Sequence, residues 1–169
     1  MTTTAPQPTG SRLRNPAQLV PEMGAVVGAL FKATGNGSVP QTTISLIQLR
    51  AGQIVGSTYL VLLHVGSLSK AGESGERIAA VATWQDAPCF TEAERAALAL
   101  VEAVLQPHAQ GERVSDELYA HASAHYDDKA LATLAMAIGQ VNFFVPVALI
   151  GKPIPGVAPA AQWTPVAAQ

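Results

Sequence analysis

Helix-opening signals recur along this chain, and no rival pattern competes with them. Thr91-Glu92-Ala93-Glu94 is a capping box. The Thr91 hydroxyl can accept from the Glu94 N–H while the Glu94 carboxylate reaches back to the Thr91 N–H. Ser57, Ser74 and Ser115 stand at further N-cap positions, and Asp127 or Asp128 at another. Apolar residues follow at helical spacing, as with Ala97, Leu98, Val101, Val104 and Leu105 behind the capping box. No segment of useful length alternates apolar and polar residues. The pattern therefore predicts an all-α fold of about six to seven helices.

The boundaries follow from breakers. Residues 1–15 are polar and rich in Pro and Thr, and read as an N-terminal arm. A first helix is predicted from Pro16 to Ala33, where Gly35-Asn36-Gly37-Ser38 ends it. Pro40 suits the start of a second helix, with Ile44, Ile47, Ala51 and Ile54 as its stripe. A third, capped by Ser57, carries Leu60, Val61, His64 and Leu68 and stops at Ala71-Gly72. Ser74 opens a fourth through Trp84, Thr91 a fifth to Pro107, and Ser115 a sixth to Tyr126, with 108–114 a polar loop between the last two. In the final helix Pro146 removes a donor, which predicts a kink or a stop. The helical domain thus spans 16–151. The tail 152–169 holds four prolines without periodicity and reads as extended.

A chain of 169 residues buries roughly 70% of its unfolded surface, enough for one core. Its charged fraction, 13%, is low beside the ~25% of ordinary domains. Burying part of the surface against copies of itself resolves that shortage, so a homo-oligomer is expected. Net charge is −2 with no basic cluster, which argues against nucleic acid. No uninterrupted apolar run reaches the ~18 residues of a membrane span. The first residues lack a signal-peptide apolar region, and the expected location is cytoplasmic. The single cysteine, Cys89, excludes an internal disulfide and a multi-thiolate metal site.

Residues 49–64 read LRAGQIVGSTYLVLLH. They resemble the active-site helix of the carboxymuconolactone decarboxylase and alkylhydroperoxidase-D-like (AhpD-like) family, which usually reads LRxSQINGCxYCxxMH. The likeness continues through HVGSLSKAGESGERIAAVATWQDAPCFTEAERAALALVEA (64–103) and HYDDKALATLAMAIGQVNFF (125–144), covering roughly residues 15–150. It implies an AhpD-like helical bundle assembled as trimers or hexamers.

The resemblance also implies a CxxC thiol pair served by a proton relay of a glutamate and a histidine. Here the glutamate, first cysteine, second cysteine and histidine positions hold Ser45, Ser57, Leu60 and His64. A serine hydroxyl has no accessible ionised form near neutral pH and makes no disulfide, and leucine offers no chemistry. The family's peroxide reduction is therefore expected to be absent, with no cofactor. Two other roles fit the residues: a lyase or isomerase on a small carboxylate or lactone using His64, and a small-ligand or assembly scaffold.

Each marked residue has a plainer reading. His64 could act as general acid or base, or pack as a core histidine. Ser57 is two helical turns from His64, about 10 Å of rise, too far for a nucleophile pair; a helix cap suits it better. Arg50 sits among apolar residues, as a buried ion-pair partner or an anionic-ligand contact. Cys89 is a small filler or a reactive thiol. His121 and His125, at i and i+4, lack a third metal ligand at suitable spacing, so no metal is expected.

Overall fold

The computed structural model describes residues 10–106 and 111–162. Its α-helices are α1 (Pro16–Leu19), α2 (Glu22–Thr34), α3 (Gln41–Ile54), α4 (Thr58–Lys70), α5 (Gly75–Ala80), α6 (Glu92–Leu105), α7 (Asp116–Ser123), α8 (Asp128–Gly151) and α9 (Pro159–Gln162). A 3₁₀ turn, Val81–Thr83, follows α5, and no β-strand occurs among the described residues.

The caps behave as the sequence predicts. Ser57 accepts from the Leu60 N–H, Ser74 from Arg77 and Ser115 from Leu118. Both halves of the Thr91–Glu94 capping box form. Asp127, not Asp128, opens α8, accepting from the Ala130 N–H at 2.8 Å.

Four expectations need correction. The predicted first helix is two, because Val20 precedes Pro21 and adopts an extended φ of −129°. The helix expected from Ser74 to Trp84 ends at Ala80 and tightens into the 3₁₀ turn. Of the kink or stop expected at Pro146, the stop does not occur: α8 runs to Gly151, and the carbonyl that proline leaves unbonded belongs to the exposed Asn142. The tail is not wholly extended, since it turns at 155–156 and forms α9. Residues 1–9 of the expected arm, 163–169 of the tail and 108–110 of the polar loop lie outside the described residues.

Helix α3 is the axis of the bundle and packs against α4, α6 and α8. It is buried on nearly every side, with Ile44, Leu46, Ile47, Leu49 and Ala51 at most 1% exposed. Each of these isoleucine and leucine side chains contributes roughly 1.5–3 kcal/mol through burial. Gly52 lets α4 approach: a Cβ there would meet Val61 N at 3.1 Å and Leu60 Cβ at 3.2 Å. Helix α2 lies along α8, held at one end where Asn36 and Ser38 donate to Thr133 Oγ1 at 2.8 and 2.9 Å. At the other end, the Arg12 N–H donates to the Gly151 carbonyl at 2.7 Å. Lys152 closes α8 in the left-handed conformation, φ 44°.

By length and composition alone α8 could cross a membrane. In the fold it instead packs on α2 and α3, burying Leu134, Ala137, Ile138 and Val141 in the core.

Candidate functional site

A cavity of about 540 Å³ opens between α2, α3, α4 and α8. Its size falls in the ordinary range for small-molecule sites, ~300–1,000 Å³. Met23, Val27 and Phe31 of α2, Leu60 and Leu63 of α4, and Val141, Phe144 and Val147 of α8 give it apolar walls. One side is polar. Helix α3 is amphipathic in an inverted sense there: Thr42, Ser45 and Gln48 recur every third residue and turn a polar edge inward. Gln140 of α8 joins them, and His64 enters from α4. Asn15, Pro16 and Ala17 at the start of α1, with Pro153 and Pro159 of the tail, complete the lining.

No Asp, Glu, Lys or Arg lines this cavity among the described residues. His64, its one titratable imidazole, has no hydrogen-bond partner among them. Burial pushes it down from its ordinary value of 6.5 to about 4, so the ring is neutral at physiological pH. Ser45 is 6% exposed, and its hydroxyl likewise makes no hydrogen bond among the described residues. The buried amides of Gln48 and Gln140 pair with each other, Nε2 of Gln48 donating to Oε1 of Gln140 at 3.0 Å.

The predicted relay positions are brought together only in part. Ser45, Leu60 and His64 share the cavity, whereas Ser57 is buried behind it as the cap of α4, accepting from the Leu60 N–H at 3.4 Å. Arg50 stands apart. Its guanidinium bonds Glu102 at 2.6 and 2.7 Å, and Trp84 Nε1 donates to the same carboxylate oxygen at 2.8 Å. The ion-pair reading of Arg50 is therefore the one realised, and it ties α3 to α6.

Cys89 is an exposed thiol outside the cavity whose backbone carbonyl accepts from Arg77. His121 and His125 stack edge to face on the surface at 5.4 Å between centroids. No cluster of three or more metal-ligating side chains occurs among the described residues.

Gln48, Gln140 and Thr42 were not legible as site residues from motif alone. Their signal was compositional: a three-residue polar spacing among the aliphatic residues of α3, and a lone glutamine in the apolar run of α8.

Comparison with known proteins gives a consistent answer. Residues 21–103 match the model of the carboxymuconolactone decarboxylase family. The chain is similar to the uncharacterized protein YdfG of Bacillus subtilis, 32% identical over 126 residues, which are 74% of this chain and 84% of that protein. It is also similar to the uncharacterized protein YnjA of Escherichia coli, 32% identical over 100 residues, covering 58% of this chain and 52% of that one. Among solved structures, ATU0492 of Agrobacterium tumefaciens, a protein of unknown function with a candidate role as the antioxidant defence protein AhpD, superposes with a TM-score of 0.77. It is 30% identical over 88% of this chain and 99% of its own. The debrominase Bmp8 in complex with 2,3,4-tribromopyrrole superposes at 0.72 over 86% of this chain and 76% of its own. At 20% identity, that likeness is one of fold.

Proposed function

This chain belongs to the carboxymuconolactone decarboxylase family with its AhpD-like fold, and from that premise we propose that it is a member without thiol-peroxidase chemistry that binds a small neutral molecule between α3, α4 and α8. The observation that carries the proposal is the fate of the two thiol positions. The Ser57 hydroxyl caps a helix, and the Leu60 side chain is 2% exposed and packs into the core. Neither can pass electrons to a peroxide. What the site keeps is an apolar chamber with a polar edge and a neutral imidazole, the composition of a ligand pocket. The related fold of Bmp8 holds a small halogenated ring.

Lyase or isomerase chemistry on a carboxylate substrate has less support. An anion entering the cavity would leave water for a lining with no cation, at a cost of several kcal/mol. Arg50, the expected anion contact, is held by Glu102. His64, held at about 4, is a weak base.

The test is direct. Wild-type protein is incubated with an organic hydroperoxide and a dithiol donor, and turnover is followed by peroxide loss. No turnover above background is expected. The S57C/L60C variant should give weak turnover at best, because Ser45 supplies no carboxylate. Robust turnover by the wild type overturns the proposal.

A further inference from the structure

The polar edge of the cavity holds more hydrogen-bonding capacity than the protein uses. Gln48 and Gln140 are 7% and 3% exposed, and both line the chamber. A primary amide carries two N–H donors and one carbonyl acceptor. The two side chains make one bond, to each other, among the described residues. That leaves the Gln48 carbonyl, its second N–H and both N–H donors of Gln140 unpaired. Exchanging the roles of the two amides leaves the same set, one carbonyl and three N–H donors. A buried polar group without a partner costs roughly 1–3 kcal/mol, so the chamber is built to have these groups met from inside.

The mutual bond matters for shape. It ties the free carbonyl of one amide and the free N–H donors of the other to atoms 3.0 Å apart, on two helices that are both packed into the core. Ser45, one turn before Gln48 on α3, adds an unpaired hydroxyl to the same edge. The complement of this edge is a molecule with an adjacent donor and acceptor. The uncharged lining restricts the guest to neutral molecules, and Leu63, Val141 and Phe144 offer faces for a ring.

Resting on the reading of the cavity as a ligand site, we propose that the Gln48–Gln140 pair is its recognition element, and that the guest is a neutral ring bearing an N–H beside a C=O, a lactam or cyclic imide. The guest N–H donates to the free glutamine carbonyl, and its C=O accepts from the free N–H of the other amide. A plain hydrocarbon fills the walls but leaves both amides unmet.

Three probes of matched shape test this by isothermal titration: 2-quinolinone, 1-methyl-2-quinolinone and naphthalene. On the wild type, 2-quinolinone should bind about tenfold or more tighter than either of the others, the worth of one to two hydrogen bonds. In the Q48M/Q140M variant that preference should vanish while naphthalene affinity is kept or improved. Equal affinity of the wild type for 2-quinolinone and naphthalene overturns the inference and leaves the cavity reading intact. Failure of all three to bind overturns the cavity reading, and the inference falls with it. Should the double variant fail to fold, Q140M alone carries the comparison; retention there of the full lactam preference also overturns the inference.

Discussion

His64 shows how far one side chain's setting decides its chemistry. An imidazole on an apolar helix face is ambiguous in sequence, because periodicity places it without saying what surrounds it. Its surroundings here are aliphatic walls and amides, and burial holds it at about 4. The unfolded chain, with its ring near 6.5, takes up the proton first as pH falls. Stability from this group is therefore complete above pH 6.5, is lost between 6.5 and 4, and levels off below. The loss is about 3 kcal/mol. Urea titrations at several pH values should show that slope in the wild type and a flatter one in H64L. Ser57 is the opposite case: its role as a cap was legible, because a serine ahead of an apolar run has a local meaning that needs no tertiary partner.

At the scale of elements, local signals were the legible ones. The capping box at Thr91, the serine caps and the break after Thr34 all act within a turn of where they are written. Junctions that depend on neighbours were not. Pro21 splits a stretch whose apolar content runs on without a pause, and the polar edge of α3 resembles a solvent face until α8 is laid against it. Arg50 belongs to this scale as well. Its bond to Glu102, shared with Trp84 and Gln85, joins α3 to the 3₁₀ region and α6. Removing one partner of a largely buried pair strands the other, so R50M should lose on the order of 3 kcal/mol of stability. The same variant, assayed below its melting temperature, should bind the lactam probe like wild type, because Arg50 lies outside the cavity lining. Chemical denaturation and titration of the one variant check both halves.

For the whole molecule, the remaining question is where the apolar surface goes. Leu19 and Val20 at the end of α1, Val26 and Phe31 of α2, and Leu149 and Ile150 at the end of α8 are all between 45% and 64% exposed. With so few charges to cover a surface of 9969 Å², these side chains suit contact with another copy. Sedimentation equilibrium should return a multiple of the 17.5 kDa chain mass, with a trimer or hexamer expected, and F31D/I150D should lower it. A 17.5 kDa species at micromolar concentration would show that the face serves some other purpose.

Five of the residues around the chamber, Asn15, Pro16, Ala17, Pro153 and Pro159, come from stretches that a boundary drawn around the long helices would discard. Trimming a chain to its long helices, here α2 to α8, is a common step before crystallisation. Done here, it would leave the bundle standing and unroof the room it was built to enclose. Relatives shortened at either point should then accept a broader and less discriminating range of guests.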